Sequence, residues 1–82
     1  MIPVQKLTHA QKVEIAIKLR SAADFFATYY EYLPKFKMQK DCFNYLNEIH
    51  LEVFGEEKYS NYGSFRVIMH RDGKKYLKSR NK

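Results

Sequence analysis

Apolar residues recur at intervals of three and four along the first part of the chain, which is the spacing of one face of an α-helix. Thr8 and Gln11 have the order of a capping box, so a helix is predicted to begin directly after Thr8. Ser21 can cap a second helix, so the stretch 9–33 is either one helix or two. Pro34 ends this stretch. The apolar stripe comprises Val13, Ala16, Ile17, Ala23, Phe26, Ala27, Tyr30 and Leu33.

A second amphipathic helix is predicted from about Gln39 to Phe54. Gly55 follows it directly, and glycine is the residue that most readily adopts the left-handed conformation that ends a helix. The connector before this helix, Lys35–Lys40, is basic, and its two apolar residues, Phe36 and Met38, are candidates for the core. The apolar face of the helix comprises Cys42, Phe43, Leu46, Ile49, Val53 and Phe54.

The segment Tyr59–Arg71 has two distinct faces if it is helical. Ser60 or Asn61 is a suitable N-cap, and a helix is expected from about Asn61 to Arg71. Because helical neighbours lie three and four positions apart, apolar residues fall on one face and small, polar and basic residues on another. The apolar face comprises Phe65, Ile68 and Met69, and the polar face comprises Gly63, Arg66 and His70.

The same segment also fits a β-hairpin. Apolar and polar residues alternate over 65–70, and Asp72–Gly73 is a favoured hairpin turn. Residues 74–77 are then a returning strand. The N-cap and the helical spacing favour the helix. The expected fold is therefore an all-α domain, a compact bundle of three or four helices, with a short C-terminal β-hairpin in place of the last helix as the alternative.

The composition limits the classes of protein to which this chain can belong. A chain of 82 residues with 45% hydrophobic content, seven tyrosines and six phenylalanines predicts one small folded domain, with a lead-in at 1–8 and a basic tail at 74–82. A single cysteine forms no intrachain disulfide, which favours a reducing cytoplasm. No apolar run reaches the roughly 20 residues of a membrane span, and the start lacks the apolar stretch of a signal peptide. We therefore expect a cytoplasmic protein without a membrane partner.

Positive charge is concentrated at the C-terminal end of the chain. Residues 1–57 carry seven basic and eight acidic residues, a net charge of −1. Residues 58–82 carry eight basic residues and one acidic residue, a net charge of +7. A surface with this charge attracts polyanions and accelerates their encounter. Nucleic acid is therefore the partner class that the charge pattern favours.

The residues with catalytic chemistry are not arranged for catalysis. Cys42 and His50 are eight positions apart on one predicted helix, which places them about 12 Å apart along its axis and excludes a nucleophile–base pair. Cys42 is expected to be a core residue. The three histidines have no second ligand at metal-binding spacing, and the three glycines do not form a phosphate-binding loop. The sequence predicts a non-enzymatic protein without a metal or cofactor.

A helix at 39–54, a connection and a second helix at 61–71 together resemble the helix-turn-helix class of DNA-binding domains. The resemblance covers residues 39–73, although the connection at 55–60 is longer than the three or four residues of the standard turn. It implies a small regulatory or accessory DNA-binding protein, of the kind that phages, plasmids and bacteria encode. The residues expected to contact nucleic acid are Asn61, Gly63, Ser64, Arg66, His70, Arg71, Lys74, Lys75, Lys78 and Arg80.

Each of these residue types suits a particular contact with DNA. Arginine pairs with guanine or phosphate, asparagine with adenine, and serine with phosphate. Glycine allows close approach of the backbone. The four basic residues of the tail are expected to hold phosphates. Arg66 and Arg71 are the main candidates of the helix itself.

Two other partner classes fit the same surface. The basic face also suits an acidic surface of a protein, which is the alternative of a small inhibitor or adaptor, such as a phage factor that blocks a host protein. Tyr59, Tyr62 and Tyr76 lie among the basic residues, and aromatic rings beside cations suit both unpaired bases and protein interfaces. RNA binding is therefore a third possibility.

Three tyrosines near the end of the first apolar stretch raise the question of self-association. Tyr29, Tyr30 and Tyr32 are too close in sequence to lie on one buried face of a helix. At least one of them is therefore expected to be exposed or to lie in an interface. This feature suggests a homodimer formed through helix 9–33.

Overall fold

Four α-helices account for most of residues 2–73, the part of the chain that the computed structural model describes. They are α1 (His9–Ile17), α2 (Ala22–Tyr32), α3 (Gln39–Phe54) and α4 (Tyr62–Ile68). Short 3-10 turns lie at Val4–Lys6 and Leu33–Lys35, and α4 continues as a π-helical segment, Met69–Gly73. No strand forms between residues 2 and 73, so the all-α fold is confirmed. None of the helices described in this range is long and apolar enough to cross a membrane.

The helices begin and end at the predicted capping residues. The Thr8 side chain accepts a hydrogen bond from the backbone of Gln11, whose side chain accepts one from the backbone of Thr8. The Ser21 hydroxyl accepts a hydrogen bond from the backbone N–H of Asp24, so the stretch 9–33 is two helices. At the end of α3, Gly55 has φ of 78°, the left-handed conformation that glycine adopts without strain.

The hairpin alternative is wrong over the residues that the structure describes. Residues 65–68 belong to α4 and 69–73 to the π-helical segment, so the first strand and the turn of that hairpin do not form. The helix is favoured because Asn61 caps it and because the spacing of the apolar residues buries Phe65 completely. The proposed returning strand at 74–77 lies outside the described residues.

The core is built around α3, against which α1, α2 and α4 all pack. Most of its volume is aromatic, and its largest fully buried side chains are Phe25, Phe26, Tyr29, Phe43 and Phe65 together with Leu19, Leu46, Ile49 and Cys42. Aromatic rings in such clusters meet edge to face or tilted, which adds to the free energy gained from burying their area. Leu19 lies in the connection between α1 and α2, so that connection is itself part of the core.

Two apolar residues predicted to reach the core are exposed. Ile17, assigned to the buried stripe of the first helix, is 61% exposed, because α1 turns the side that carries Ala16 towards the core, and neighbouring helical residues lie about 100° apart around the axis. Met38 is also 61% exposed. The other candidate from its connector, Phe36, is half-buried and packs on the ring of Tyr45 with centroids 5.3 Å apart.

The lead-in and the polar side of α3 both contact other parts of the structure. Val4 is buried, and the Tyr45 hydroxyl donates a hydrogen bond of 2.8 Å to the carbonyl oxygen of Ile2. Glu52, on the polar side of α3, accepts a hydrogen bond from the ammonium group of Lys12 at 2.9 Å. This ion pair joins α1 to α3, and its partial exposure limits its contribution to stability.

A single amide side chain fixes the connection between α3 and α4. The Nδ2 group of Asn47 donates to the carboxylate of Glu57 at 3.0 Å and to the carbonyl oxygen of Tyr59 at 2.9 Å. Its Oδ1 atom accepts from the backbone N–H groups of Lys58 and Tyr59, at 3.0 and 3.2 Å. Asn47 is only 5% exposed, so its amide group is shielded from water, and all four hydrogen bonds are at least partly buried.

One turn further along α3, His50 holds the start of the same connection. Its Nδ1–H donates to the carbonyl oxygen of Glu56 at 2.6 Å, and its ring packs on Phe54 with centroids 4.8 Å apart. Lys58 extends from the connection and donates to the carbonyl oxygen of Arg20, between α1 and α2. The guanidinium of Arg20 in turn lies over the ring of Phe54, 4.5 Å from its centroid. The connection is therefore fastened to α3 and to the α1–α2 corner.

We predict that Asn47→Asp destabilises the protein strongly at neutral pH. The variant keeps the shape of the side chain but loses both donated hydrogen bonds and places a second carboxylate beside Glu57. The expected loss is about 3 kcal/mol in the free energy of unfolding, measured by urea denaturation. Asn44→Asp, on the exposed side of the same helix, is the matched control and is expected to change stability by less than about 0.5 kcal/mol. Equal effects of the two substitutions would contradict the role of Asn47.

Two buried polar groups, one thiol and one hydroxyl, lie between α2 and α3. The Cys42 thiol donates to the carbonyl oxygen of Tyr29 at 3.5 Å, and burial raises its pKa from 9.0 to about 12. The Tyr29 hydroxyl is buried and has no hydrogen-bond partner of acceptable geometry within the described part of the chain. Burial is the main cause that raises the pKa of Tyr29 far above its ordinary value, and the nearby Tyr62 raises it further. Both groups therefore stay protonated in the folded protein.

These groups predict a loss of stability at alkaline pH. Above about pH 9 the unfolded state releases the Cys42 proton, and above about pH 10 the Tyr29 proton, whereas the folded state retains both. Because the unfolded state then binds fewer protons, the free energy of unfolding falls as pH rises. Tyr29→Phe is expected to add about 1 kcal/mol at neutral pH, since it removes a buried hydroxyl without a partner, and to reduce the loss above about pH 10.

The measurement is urea denaturation at about pH 7, 9 and 11. Tyr30→Phe, which changes a neighbouring half-buried ring, is the control and is expected to keep the alkaline loss of the parent protein. An unchanged pH dependence in Tyr29→Phe would show that the Tyr29 hydroxyl does not contribute to it.

Candidate nucleic-acid interface

The position of α4 is set by the ring of Phe65, which is completely buried. Its centroid lies 4.8–5.5 Å from those of five other aromatic rings and 6.3 Å from that of Tyr62. The five rings are those of Phe25, Phe26, Tyr29, Phe43 and Tyr59. Ile68 and Met69, half-buried on the same side, pack against this core as predicted. The opposite side of α4 is therefore turned outward.

Four residues of that outward side line one shallow depression of about 200 Å³. They are Gly63, Arg66, Val67 and His70, which follow the helical spacing of three and four residues. All four are exposed, and the apolar Val67 is 64% exposed. The structure thus brings together three of the predicted contact residues and adds one that was not predicted. The helical spacing could have placed Val67 on this face, because it lies four residues after Gly63 and three before His70.

Asn61 and Ser64 are exposed, but they act mainly in shaping the start of α4. The Asn61 Oδ1 atom accepts a hydrogen bond of 2.8 Å from the backbone N–H of Ser64. An asparagine reads adenine through both its oxygen and its amide nitrogen, so the capping oxygen is not free for that contact. The absence of a side chain at Gly63 also serves the cap, since a Cβ there would lie 3.1 Å from Asn61 Oδ1.

The remaining basic candidates differ in their surroundings. Arg66 extends over the ring of Tyr62, with its guanidinium carbon 6.0 Å from the centroid. Arg71 is exposed in the π-helical segment, one position beyond the depression. The four basic residues of the tail, Lys74, Lys75, Lys78 and Arg80, lie outside the described residues. Between residues 59 and 71 the sequence contains no acidic residue, so the exposed charge of this segment is positive.

The tyrosines near the basic residues pack mainly into the core. Tyr59 meets Phe25 edge to face with centroids 5.1 Å apart, and Tyr62 lies 5.6 Å from Phe43. Both are half-buried, and the Tyr62 hydroxyl donates to the side-chain oxygen of Gln39 at 3.2 Å. They therefore do not present open faces for stacking of bases, and Tyr76 lies beyond the described part of the chain.

The tyrosines of α2 are likewise packed. Tyr29 is buried, while Tyr30 and Tyr32 are half-buried against the core, and Lys35 lies over the ring of Tyr32. Nothing in their positions requires a second copy of the chain, and the homodimer remains a prediction.

The groups considered for catalysis lie inside the protein. Cys42 is completely buried and His50 is 4% exposed, and each is bonded to a backbone carbonyl oxygen rather than to the other. Within the described residues, no group of three or more histidine, cysteine, aspartate or glutamate side chains is placed to hold a metal ion. Among the functional candidates singled out from the sequence, those on α4 are therefore the exposed ones, whereas Cys42 and His50 are enclosed in the core.

Comparisons with protein-family models, curated proteins and solved structures found no match to this chain. The resemblance to helix-turn-helix domains therefore stays a prediction from the order and faces of the two helices. The seven residues 55–61 separate these helices, compared with three or four in the standard motif. The clamp formed by Asn47 and His50 holds this longer connection in one conformation.

We predict that Asn61 is needed for the stability of α4. Asn61→Ala removes the cap and is expected to lower the free energy of unfolding by about 1 kcal/mol, whereas Asn61→Ser keeps a capping oxygen and most of the stability. Ser64→Ala is the control, because the bond to Asn61 uses the backbone N–H of residue 64. Thermal denaturation measures all three variants. A loss in Asn61→Ser as large as that in Asn61→Ala would contradict the capping role.

Proposed function

We propose that this protein is a small, non-enzymatic DNA-binding protein that docks the outward face of α4 on duplex DNA. The observation that carries the proposal is the division of α4 into a locked face and a free face. Phe65 fixes the helix in the aromatic core, and Gly63, Arg66, Val67 and His70 share the exposed face. A rigid helix with a small, basic exposed face is the element that enters the major groove in helix-turn-helix proteins.

Charge supports the same proposal. The surplus of +7 lies in residues 58–82, so α4 and the chain that follows it carry the positive charge of the molecule. Phosphate contacts by lysine and arginine supply most of the non-specific affinity for DNA and orient the protein on the duplex. In this proposal Arg66 and Arg71 act from the helical segment, and Lys74, Lys75, Lys78 and Arg80 hold phosphates from the tail. A regulatory or accessory role suits so small a domain.

Duplex DNA is favoured over single-stranded nucleic acid by the packing of the tyrosines. Binding of unpaired bases depends on aromatic faces open to stacking. Tyr59 and Tyr62 instead pack their rings on Phe25 and Phe43. Duplex RNA is disfavoured for another reason, since its deep and narrow major groove does not admit a helix.

The exposure of Val67 favours one other function, binding to a protein partner with an acidic surface. An exposed apolar residue beside an arginine has the composition of an interface centre. A pull-down from nuclease-treated lysate tests this function with Val67→Ser as the comparison. A stoichiometric protein partner that the parent protein retains and Val67→Ser loses would support it over DNA binding.

We predict that the protein binds duplex DNA with an affinity that falls steeply as salt increases. A duplex selected from a random pool is the probe, and gel-shift titrations at several salt concentrations give the slope of log affinity against log salt. If Arg66 contacts a phosphate, Arg66→Ala lowers the magnitude of this slope by about one. If Arg66 contacts a base, the slope is the same as that of the parent protein. The preference for the selected sequence over random duplex then falls by about 1–3 kcal/mol.

Lys18→Ala is the matched control, because it removes the same charge from an exposed position directly after α1. It is expected to keep both the slope and the sequence preference. Circular dichroism of each variant establishes that the helices are retained. Absence of binding to any duplex at low salt would exclude the proposed function, and equal losses in Arg66→Ala and Lys18→Ala would exclude α4 as the contact surface.

A further inference from the structure

Val67 is an apolar residue in the middle of a basic surface. Its side chain is 64% exposed and belongs to the depression that Gly63, Arg66 and His70 also line. Gly63 lies one turn before Val67 and has no side chain, which leaves the valine methyl groups open to approach from that direction. The depression thus has an apolar part and, beside it, nitrogen donors from an arginine and a histidine.

This combination matches the edge of one base in particular. In the major groove thymine presents its C5 methyl group next to the O4 acceptor, whereas cytosine presents a donor and no methyl group. Guanine presents two acceptors, O6 and N7, that arginine pairs with in bidentate fashion. A thymine beside a guanine therefore offers a methyl group to Val67 and acceptors to the neighbouring donors.

We infer that the depression on α4 takes the C5 methyl group of a thymine, with Arg66 directed at an adjacent guanine or phosphate. The inference rests on the proposed function and specifies which nucleic acid its surface selects. The net positive charge of residues 58–82 complements the negative charge of the DNA backbone. Since uracil lacks the methyl group, the same contact distinguishes thymine-containing DNA from its uracil counterpart.

The test replaces thymine by uracil in the selected duplex, first at all positions and then one at a time. This change removes one methyl group for each base and leaves the hydrogen-bonding edges unchanged. The parent protein is expected to bind about fourfold more weakly when the contacted thymine is replaced, which corresponds to exposing one buried methyl group. Val67→Ser is expected to bind both duplexes with equal affinity.

Ile17→Ser is the matched control, because Ile17 is an apolar residue of similar exposure, 61%, on α1. This variant is expected to distinguish thymine from uracil as the parent protein does. Equal affinity of the parent protein for both duplexes, or continued discrimination by Val67→Ser, would overturn the inference while leaving DNA binding in place. Failure to bind any duplex would instead overturn the proposed function, so the two failures are distinguishable.

Discussion

The burial of the Phe65 ring is the interaction on which the arrangement of the C-terminal half depends. It is the contribution of a seven-residue helix to a cluster of rings otherwise supplied by α2, α3 and the connection before α4. Isolated helices of this length are unstable in water, so α4 owes its conformation to this packing and to its cap. Replacing a buried phenylalanine by alanine costs about 3–5 kcal/mol, a large part of the stability of a small domain. The same ring therefore stabilises the fold and orients the candidate interface.

A second constraint acts on α4 through the backbone that leads into it. Asn47 and His50, one turn apart on α3, bind residues 56–59, and Lys58 ties this connection to the α1–α2 corner. Phe65 acts through apolar packing and the clamp through hydrogen bonds, and the two meet at Tyr59, whose ring lies 5.3 Å from that of Phe65 and whose backbone Asn47 binds. Together they fix both the position of α4 and the direction from which the chain enters it. A surface held in this way loses little conformational entropy when it binds a partner.

Much of the fold follows from local rules and was predictable for that reason. Thr8, Ser21, Asn61 and Gly55 begin or end helices through contacts with residues three or four positions away, so their roles can be inferred from short stretches of sequence. The burial of Ile17 and Met38 was predicted wrongly because it depends on how a break or a connector is oriented in three dimensions. The clamp was missed because Asn47 contacts residues 10–12 positions away in an irregular segment. Of the candidate site, the helical wheel correctly placed Gly63, Arg66 and His70 together on an exposed face, but Val67 was left unassigned.

The way in which Asn47 binds the connection has a consequence for how this sequence can vary. Three of its four hydrogen bonds are to backbone groups, at residues 58 and 59, so the amide itself binds the backbone of these residues and not their side chains. The amide of Asn47 requires N–H groups at residues 58 and 59, which excludes proline at either position. Insertions or deletions are not tolerated, because they move those groups away from the amide. Relatives of this protein are therefore expected to preserve Asn47 and the length of the connection, together with Tyr59, whose ring packs against the aromatic core.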